Sequence, residues 1–327
     1  MRSKTIGSST TADNTGGATA DYTSLSTWAA SIADTDDELG TIITKVAPIR
    51  TSKLTLNVGG TARTYRLTAD SSCAVAAPTA AEAAAKARIS VSGDYSISFG
   101  TTAGAIWKID RIALISDYMF EVNNCATLRH FNACLFDTTY GADLGQCVLT
   151  VTNCAIFGSF NAASVFRHFG SGVLTIYQTS ILMTGATPNT AVGVGGTSST
   201  CYAVIVQGNT GSAGNFTSGV AGDENVSADT SAPGATNWRS KTGVFASETP
   251  GSEDLSLSAA HDAGTYTVTD RSGTEADLAT DIVGTSRAAP IDAGCWQTTG
   301  GGGGGTVVPA LDGEMLVGGL LEMSGGL

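Results

Sequence analysis

Three stretches of the chain superimpose on one another: residues 128–136, 149–157 and 174–182, with a weaker copy over 107–115. The copies begin 21, 21 and 25 residues apart. Repetition at such a period marks a chain that coils on itself, because one copy cannot bury its apolar face alone and needs the next. Aligned in this way, the first column holds Trp107, Leu128, Leu149 and Leu174, and the third holds Ile109, His130, Val151 and Ile176. The second and fourth columns are mostly polar, which is the period-two alternation of a half-buried strand. The fifth reads Arg111, Asn132, Asn153 and Gln178, followed by apolar eighth and ninth columns, Leu114, Leu135, Ile156, Ile181 and Ile115, Phe136, Phe157, Leu182. Each copy therefore reads as a strand, a bend at an amide side chain that tolerates the left-handed region, and a second strand.

Stacked copies would lie ~4.8 Å apart around one core. Antiparallel hairpins in a sandwich are the competing arrangement, but hairpins would not require the same column to be polar in successive strands. The fold class expected is all-β: a right-handed, single-stranded parallel β-helix, or solenoid. Composition agrees, with 41 Gly, 14% charged and 42% hydrophobic residues, a balance that suits a long β structure with a sizeable core. A net charge of −12 repels nucleic-acid backbones and anionic membranes, so neither is expected as a partner. No apolar run of 18 residues occurs, and the opening residues lack the apolar centre of a secretory signal, which points to synthesis and folding in a cytosol.

Before the repeats, Leu25, Trp28, Ala29 and Ile32 fall at helical spacing, with Asp21 or Ser24 available as N-cap. Such a helix could cover the open end of the first coil. The acidic run 34–40 lacks the residue order of a calcium loop and reads as a solvated helix exit. Residues 78–88 are dominated by Ala, with Glu82 and Lys86 four apart, and predict a short exposed helix. The seven cysteines show no Cys-x-x-Cys pair and no His at ligand spacing, so they are read as small buried thiols rather than a metal site.

Further along lie Asp223–Asn237, Val244–Phe245, Glu253–Ser258, His261–Gly264, Thr280–Arg287 and Ile291–Gln297. These segments resemble the closing coils of right-handed parallel β-helix proteins, common in tailed bacteriophages and among bacterial surface proteins. Thr5–Gly7 with Asp21–Trp28 is similar to the opening cap of that family. The resemblance implies a virion structural part, a polysaccharide-directed tailspike or fibre, or a surface adhesin; fold alone does not choose among them.

Glycoside cleavage needs two carboxyl groups roughly 5–9.5 Å apart, and neighbouring turns would be the easiest source. In the alignment Asp110 meets Phe131, Thr152 and Tyr177; Asp117 meets Thr138, Ser159 and Thr184; Asp137 meets Ser116, Gly158 and Met183. No column supplies a pair, so no catalytic, cofactor or metal residues are assigned. His130 is read as a hydrogen-bonded core imidazole in an inward column. His168 and His261 fall outside the columns, no Gly-x-Ser-x-Gly elbow is present, and Gly193–Gly196 lacks the partner of a phosphate loop.

The chain ends with six glycines, Gly300–Gly305, and then an apolar peptide. Val307, Val308, Leu311, Met315, Leu316, Val317, Leu320, Leu321 and Met323 have too little chain around them for a core, so they are expected to dock into a partner. The expected organisation is a cap over 1–40, a body over 41–297, a linker over 298–305 and a docking peptide over 306–327. The functional expectation is a non-enzymatic virion protein, a capsid decoration or spike assembled in the host cytoplasm. Its partners would be a major capsid protein or a portal or tail component, with self-association and a host glycan as further partners. A tailspike usually carries a separate head before its β-helix, which favours decoration over a tail-tip depolymerase.

Overall fold

From Leu54 onward the chain alternates between two large sheets, one strand in the first and then one or two in the second, and within each sheet every pairing is parallel. A computed structural model describes residues 2–7, 20–32, 36–43, 51–56, 63–100, 105–123, 125–160, 164–168, 170–185, 190–193, 198–208, 214–234, 239–259, 278–287 and 291–298. The first sheet runs Arg2–Ile6, Glu38–Ile42, Thr64–Ala69, Ile106–Asp110, Cys125–Asn132, Cys147–Thr152, Val173–Tyr177, Ser198–Tyr202 and Ala221–Asp223. The second carries Leu54–Leu56, Arg88–Phe99, Ala113–Val122, Leu135–Tyr140, Ala155–Gly158, Ser180–Met183, Ile205–Gln207 and Val226–Ser227, with Ala142–Leu144 and Phe166–His168 continuing from the far end of Ala113–Val122. The protein is thus mostly β with parallel sheets. Parallel pairing begins at Arg2, before residue 41, and among the described residues it ends at Ser227.

The repeat columns hold for Leu149 and Leu174, and for Val151 and Ile176, which are register partners and fully buried. They fail by one residue in the copy at 128. Leu128 pairs with Val148 and is half-buried, whereas Arg129 pairs with both Trp107 and Leu149 and enters the core. The inward columns are therefore Tyr65, Trp107, Arg129, Leu149, Leu174 and Leu67, Ile109, Phe131, Val151, Ile176. Along the second sheet the same displacement puts Phe136 between Leu114 and Ile156, and Asp137 between Ile115 and Phe157. His130 consequently leaves the inward column and pairs with Lys108 and Thr150; it is nonetheless buried, its Nε2 2.9 Å from Thr152 Oγ1.

Burying Arg129 is a local exception that the core accommodates through carbonyl oxygens and an aromatic face. Its Nη1 donates to the carbonyls of Ala105 and Leu128, and its guanidinium lies 5.6 Å from the centre of the Phe99 ring. The surrounding core is aromatic, with Phe99, Phe120 and Phe136 all within 6 Å of Phe131, centre to centre.

The corners between the sheets are where the amide bends were expected. Arg111, Asn153 and Gln178 have φ of 59°, 52° and 44°, and in the shifted copy Ala133, not Asn132, takes the place with φ 50°. Each such residue donates its N–H to a carbonyl one turn on: Arg111 to Asn132 at 3.0 Å, Ala133 to Thr152 at 3.0 Å, Gln178 to Tyr202 at 3.0 Å. The left-handed strain at non-glycine corners is thus held by bonds between turns.

The N-terminal helix, Leu25–Ser31, is capped by Ser24, whose Oγ accepts from Thr27 N at 3.1 Å. Asp21 instead accepts from Thr5 N, tying the helix entry to the first strand. Leu25, Trp28 and Ile32 are buried in the inner core, as their spacing predicts.

A second apolar cluster lies on the opposite side of the second sheet. It joins Ala133, Leu135, Ala155, Phe157, Leu182 and Ile205 to side chains from three distant segments. One is the helix Ala80–Ala85, where Glu82 and Lys86 pair at 3.7 Å as expected. That helix is not simply exposed, since Ala83 is completely buried. Another is the antiparallel pair Phe245–Ser247 and Asp254–Leu257, and the third supplies Ile282, Ile291, Ala293 and Cys295. Of the segments that resembled closing coils, the first does extend the ladder, Asp223 and Val226–Ser227 forming its last rungs, whereas Val244–Phe245, Glu253–Ser258, Thr280–Arg287 and Ile291–Gln297 cover the outside of the sheet; His261–Gly264 lies outside the described residues. Arg287 fastens the last of them, donating to Asn153 Oδ1 at 3.2 Å and to the Gly294 carbonyl at 2.8 Å. Six cysteines are free and buried, in keeping with their reading as small apolar groups.

Candidate functional site

Where the second sheet turns toward its far end, successive strands leave a groove of about 370 Å³. Ser90–Ser92, Ile115–Asp117, Asp137–Thr139, Gly158–Ser159 and Thr184 line it, and Glu253 reaches it from the antiparallel pair. The close approach of the strands beneath depends on Gly158, at φ 155°, because a β-carbon there would lie 1.6 Å from the Thr138 carbonyl oxygen. The hydroxyls of Ser116 and Thr138 turn back to the Tyr118 and Tyr140 carbonyls, both at 2.6 Å, and shape the bend.

Three acids from three parts of the chain line the groove. Asp117 is anchored by Gly93 N, which donates to its Oδ2 at 2.6 Å from the bulge in Arg88–Phe99. Asp137 is flanked in its own row by Ile115 and Phe157. Burial at the margin of the outer apolar cluster, followed by the charge of Glu253, pushes its carboxyl from an ordinary 3.8 up to about 6. Glu253 is held by its backbone: its carbonyl accepts from Ala80 N at 3.0 Å, and Leu255 N donates to the Pro78 carbonyl at 2.9 Å. The residue as a whole is 7% exposed.

Several acids outside the groove have cations. Asp143 pairs with Arg167 at 2.6 Å, Lys53 bridges Asp94 and Glu121 at 3.2 and 3.5 Å, and Arg66 pairs with Asp110. Among the described residues no lysine, arginine or histidine lines the groove. No cluster of three or more His, Cys, Asp or Glu able to hold a metal occurs among the described residues.

The column argument missed this site because it looked only along the strands. Asp137 and Glu253 lie far apart in sequence, and they are brought together by the cover over the outer cluster, which no periodicity reports. The acidic Glu253–Asp254 step was the available signal, but it carried no indication of its partner. The docking peptide residues Val307 to Met323, the glycine linker and His261 lie outside the described residues, and of His168 only the backbone is described. No helix among the described residues is long and apolar enough to cross a membrane. No protein-family model, curated protein or solved structure matches this chain.

Proposed function

We propose that this chain is a structural protein of a bacteriophage particle, a capsid decoration or spike whose body is a right-handed parallel β-helix and whose residues 306–327 dock into a partner virion protein. The observation that carries the reading is the uninterrupted parallel ladder with strained corners repeated turn after turn. Strand–crossover–parallel-strand connections are overwhelmingly right-handed, which supplies the hand. A ladder of this kind is a stiff, elongated spacer with nearest-neighbour contacts, suited to display on a particle. The acidic balance of the chain opposes contact with packaged nucleic acid.

The test is a deletion of residues 306–327. The body should melt as before, and the shortened protein should be lost from purified particles. Normal occupancy without the tail would move attachment to the body or the cap.

One observation favours a second reading, a tailspike that cleaves host polysaccharide: Asp137 and Glu253 form a pair of carboxyl groups of which one is raised toward neutrality. Against it, no aromatic side chain on which a sugar ring could stack lines the groove among the described residues. Release of oligosaccharide from bacterial surface polysaccharide, abolished by Asp137→Asn or Glu253→Gln, would establish this reading in place of the first.

A further inference from the structure

We propose that the Asp137–Glu253 groove is a docking slot for a basic side chain, an arginine or lysine presented by a partner protein. This goes beyond the virion reading and does not depend on it.

Glu253 carries the argument. The residue is more than nine-tenths buried, it lines the groove, and its carboxylate accepts no hydrogen bond and joins no ion pair among the described residues. Asp137 beside it likewise has no such partner, while Asp117 has only the Gly93 amide. Carboxylates confined in a narrow groove are hydrated on one side only, and two of them side by side repel each other, so a cation placed between them would be favoured. Elsewhere on the same sheet Lys53 and Arg167 neutralise Asp94, Glu121 and Asp143, but among the described residues no cation lines the groove. The raised carboxyl of Asp137 is the expected response to that lack.

Three occupants can be compared. A metal ion lacks a donor set of three among the described residues. A sugar lacks an aromatic platform among the described residues. A guanidinium or ammonium needs carboxylates in a partly dry site and hydroxyl acceptors around them, which Asp117, Asp137, Glu253, Ser159 and Thr184 provide. The volume of about 370 Å³ admits an arginine side chain with some of its backbone. The partner is taken to be a protein because a chain of net charge −12 attracts basic protein surfaces from a distance.

The probe is the peptide acetyl-Gly-Arg-Gly-amide, titrated into the full-length, isotope-labelled protein at pH 8 and followed by NMR. Its neutral control is the same peptide with citrulline in place of arginine. Amide shifts should concentrate at residues 115–117, 137–139, 158–159, 184 and 253, with half-saturation at about 1 mM, the scale of a single-residue contact. Asp137→Asn and Glu253→Gln should each weaken binding roughly tenfold, the loss of one charged contact, while retaining the folded spectrum elsewhere. The carboxyl carbon of Asp137, followed with the arginine peptide saturating, should titrate well below its value in the free protein. Equal shifts from the citrulline peptide, shifts scattered over the acidic surface, or undiminished binding in both variants would overturn the proposal. So would a free protein in which Asp137 already titrates at or below 3.8, or a neutral chitobiose probe that gives the same localised shifts.

Discussion

Replacing Asp137 by Asn should stabilise the protein at neutral pH and leave it nearly unchanged in acid. The carboxyl of Asp137 is raised from 3.8 to about 6 in the folded protein, so the folded state holds this proton more tightly than the unfolded chain does. Stability from this group is therefore full below about pH 4, falls as pH rises through about 6, and is flat beyond. A rise of that size corresponds to about 3 kcal/mol. Asp137 keeps some contact with water through the groove, which reduces the expectation to about 1–3 kcal/mol. Asparagine fills the same space without the charge. Urea unfolding of both proteins from pH 3.5 to 8 isolates the effect, since every other titrating group is common to them and cancels in the difference. The curves should coincide near pH 3.5 and separate through pH 4–6, with the variant the more stable at pH 8. Glu253→Gln should recover a smaller part of the same gain, because burial is the larger cause and the Glu253 charge the lesser. A stability difference that does not change with pH, or one of opposite sign at pH 8, would refute the assignment of a strained, unpaired carboxylate.

The shifted register separates two leucines that the repeat treats alike. Leu149→Ala should cost ~2–5 kcal/mol in chemical unfolding, the range for a buried aliphatic truncation, and Leu128→Ala less than about 1 kcal/mol, as at an incompletely buried site. Gly158→Ala should prevent soluble expression or lower the melting temperature by more than ~8 °C, because the new methyl group has no room beside the Thr138 carbonyl. Arg287→Ala should leave the ladder folded while making residues 278–298 the first site of limited proteolysis, since it removes the bonds to Asn153 and Gly294.

Much of the ladder was legible because its physics is local and periodic. Alternation placed Leu149, Val151, Leu174 and Ile176 inward, and the amide positions marked the corners. The copy at 128 was misplaced because the first strand of that turn admits a charged residue: an alignment that seeks apolar matches prefers Leu128, while the backbone register delivers Arg129 to the core. Nothing in the pattern distinguishes an arginine that finds the Ala105 carbonyl from one that faces water. The helix over 80–85 could be recognised from its alanines, but its burial could not, because the surface it covers is formed by residues from Ala133 to Ile205. The groove was illegible for the same reason, since it depends on a meeting between Asp137 and a segment more than a hundred residues downstream.

The outer cluster also sets a timetable for synthesis. Phe157 and its neighbours belong to turns that can stack as soon as they leave the ribosome, each needing only the one before it. Their second apolar side must wait for Phe245, Leu255 and Cys295, the first of which is encoded roughly 90 residues later. At about 5–20 residues per second the nascent ladder would carry an uncovered greasy stripe for roughly 5–20 s. A chain stalled or truncated before residue 245 should therefore be the species most prone to associate with its own copies.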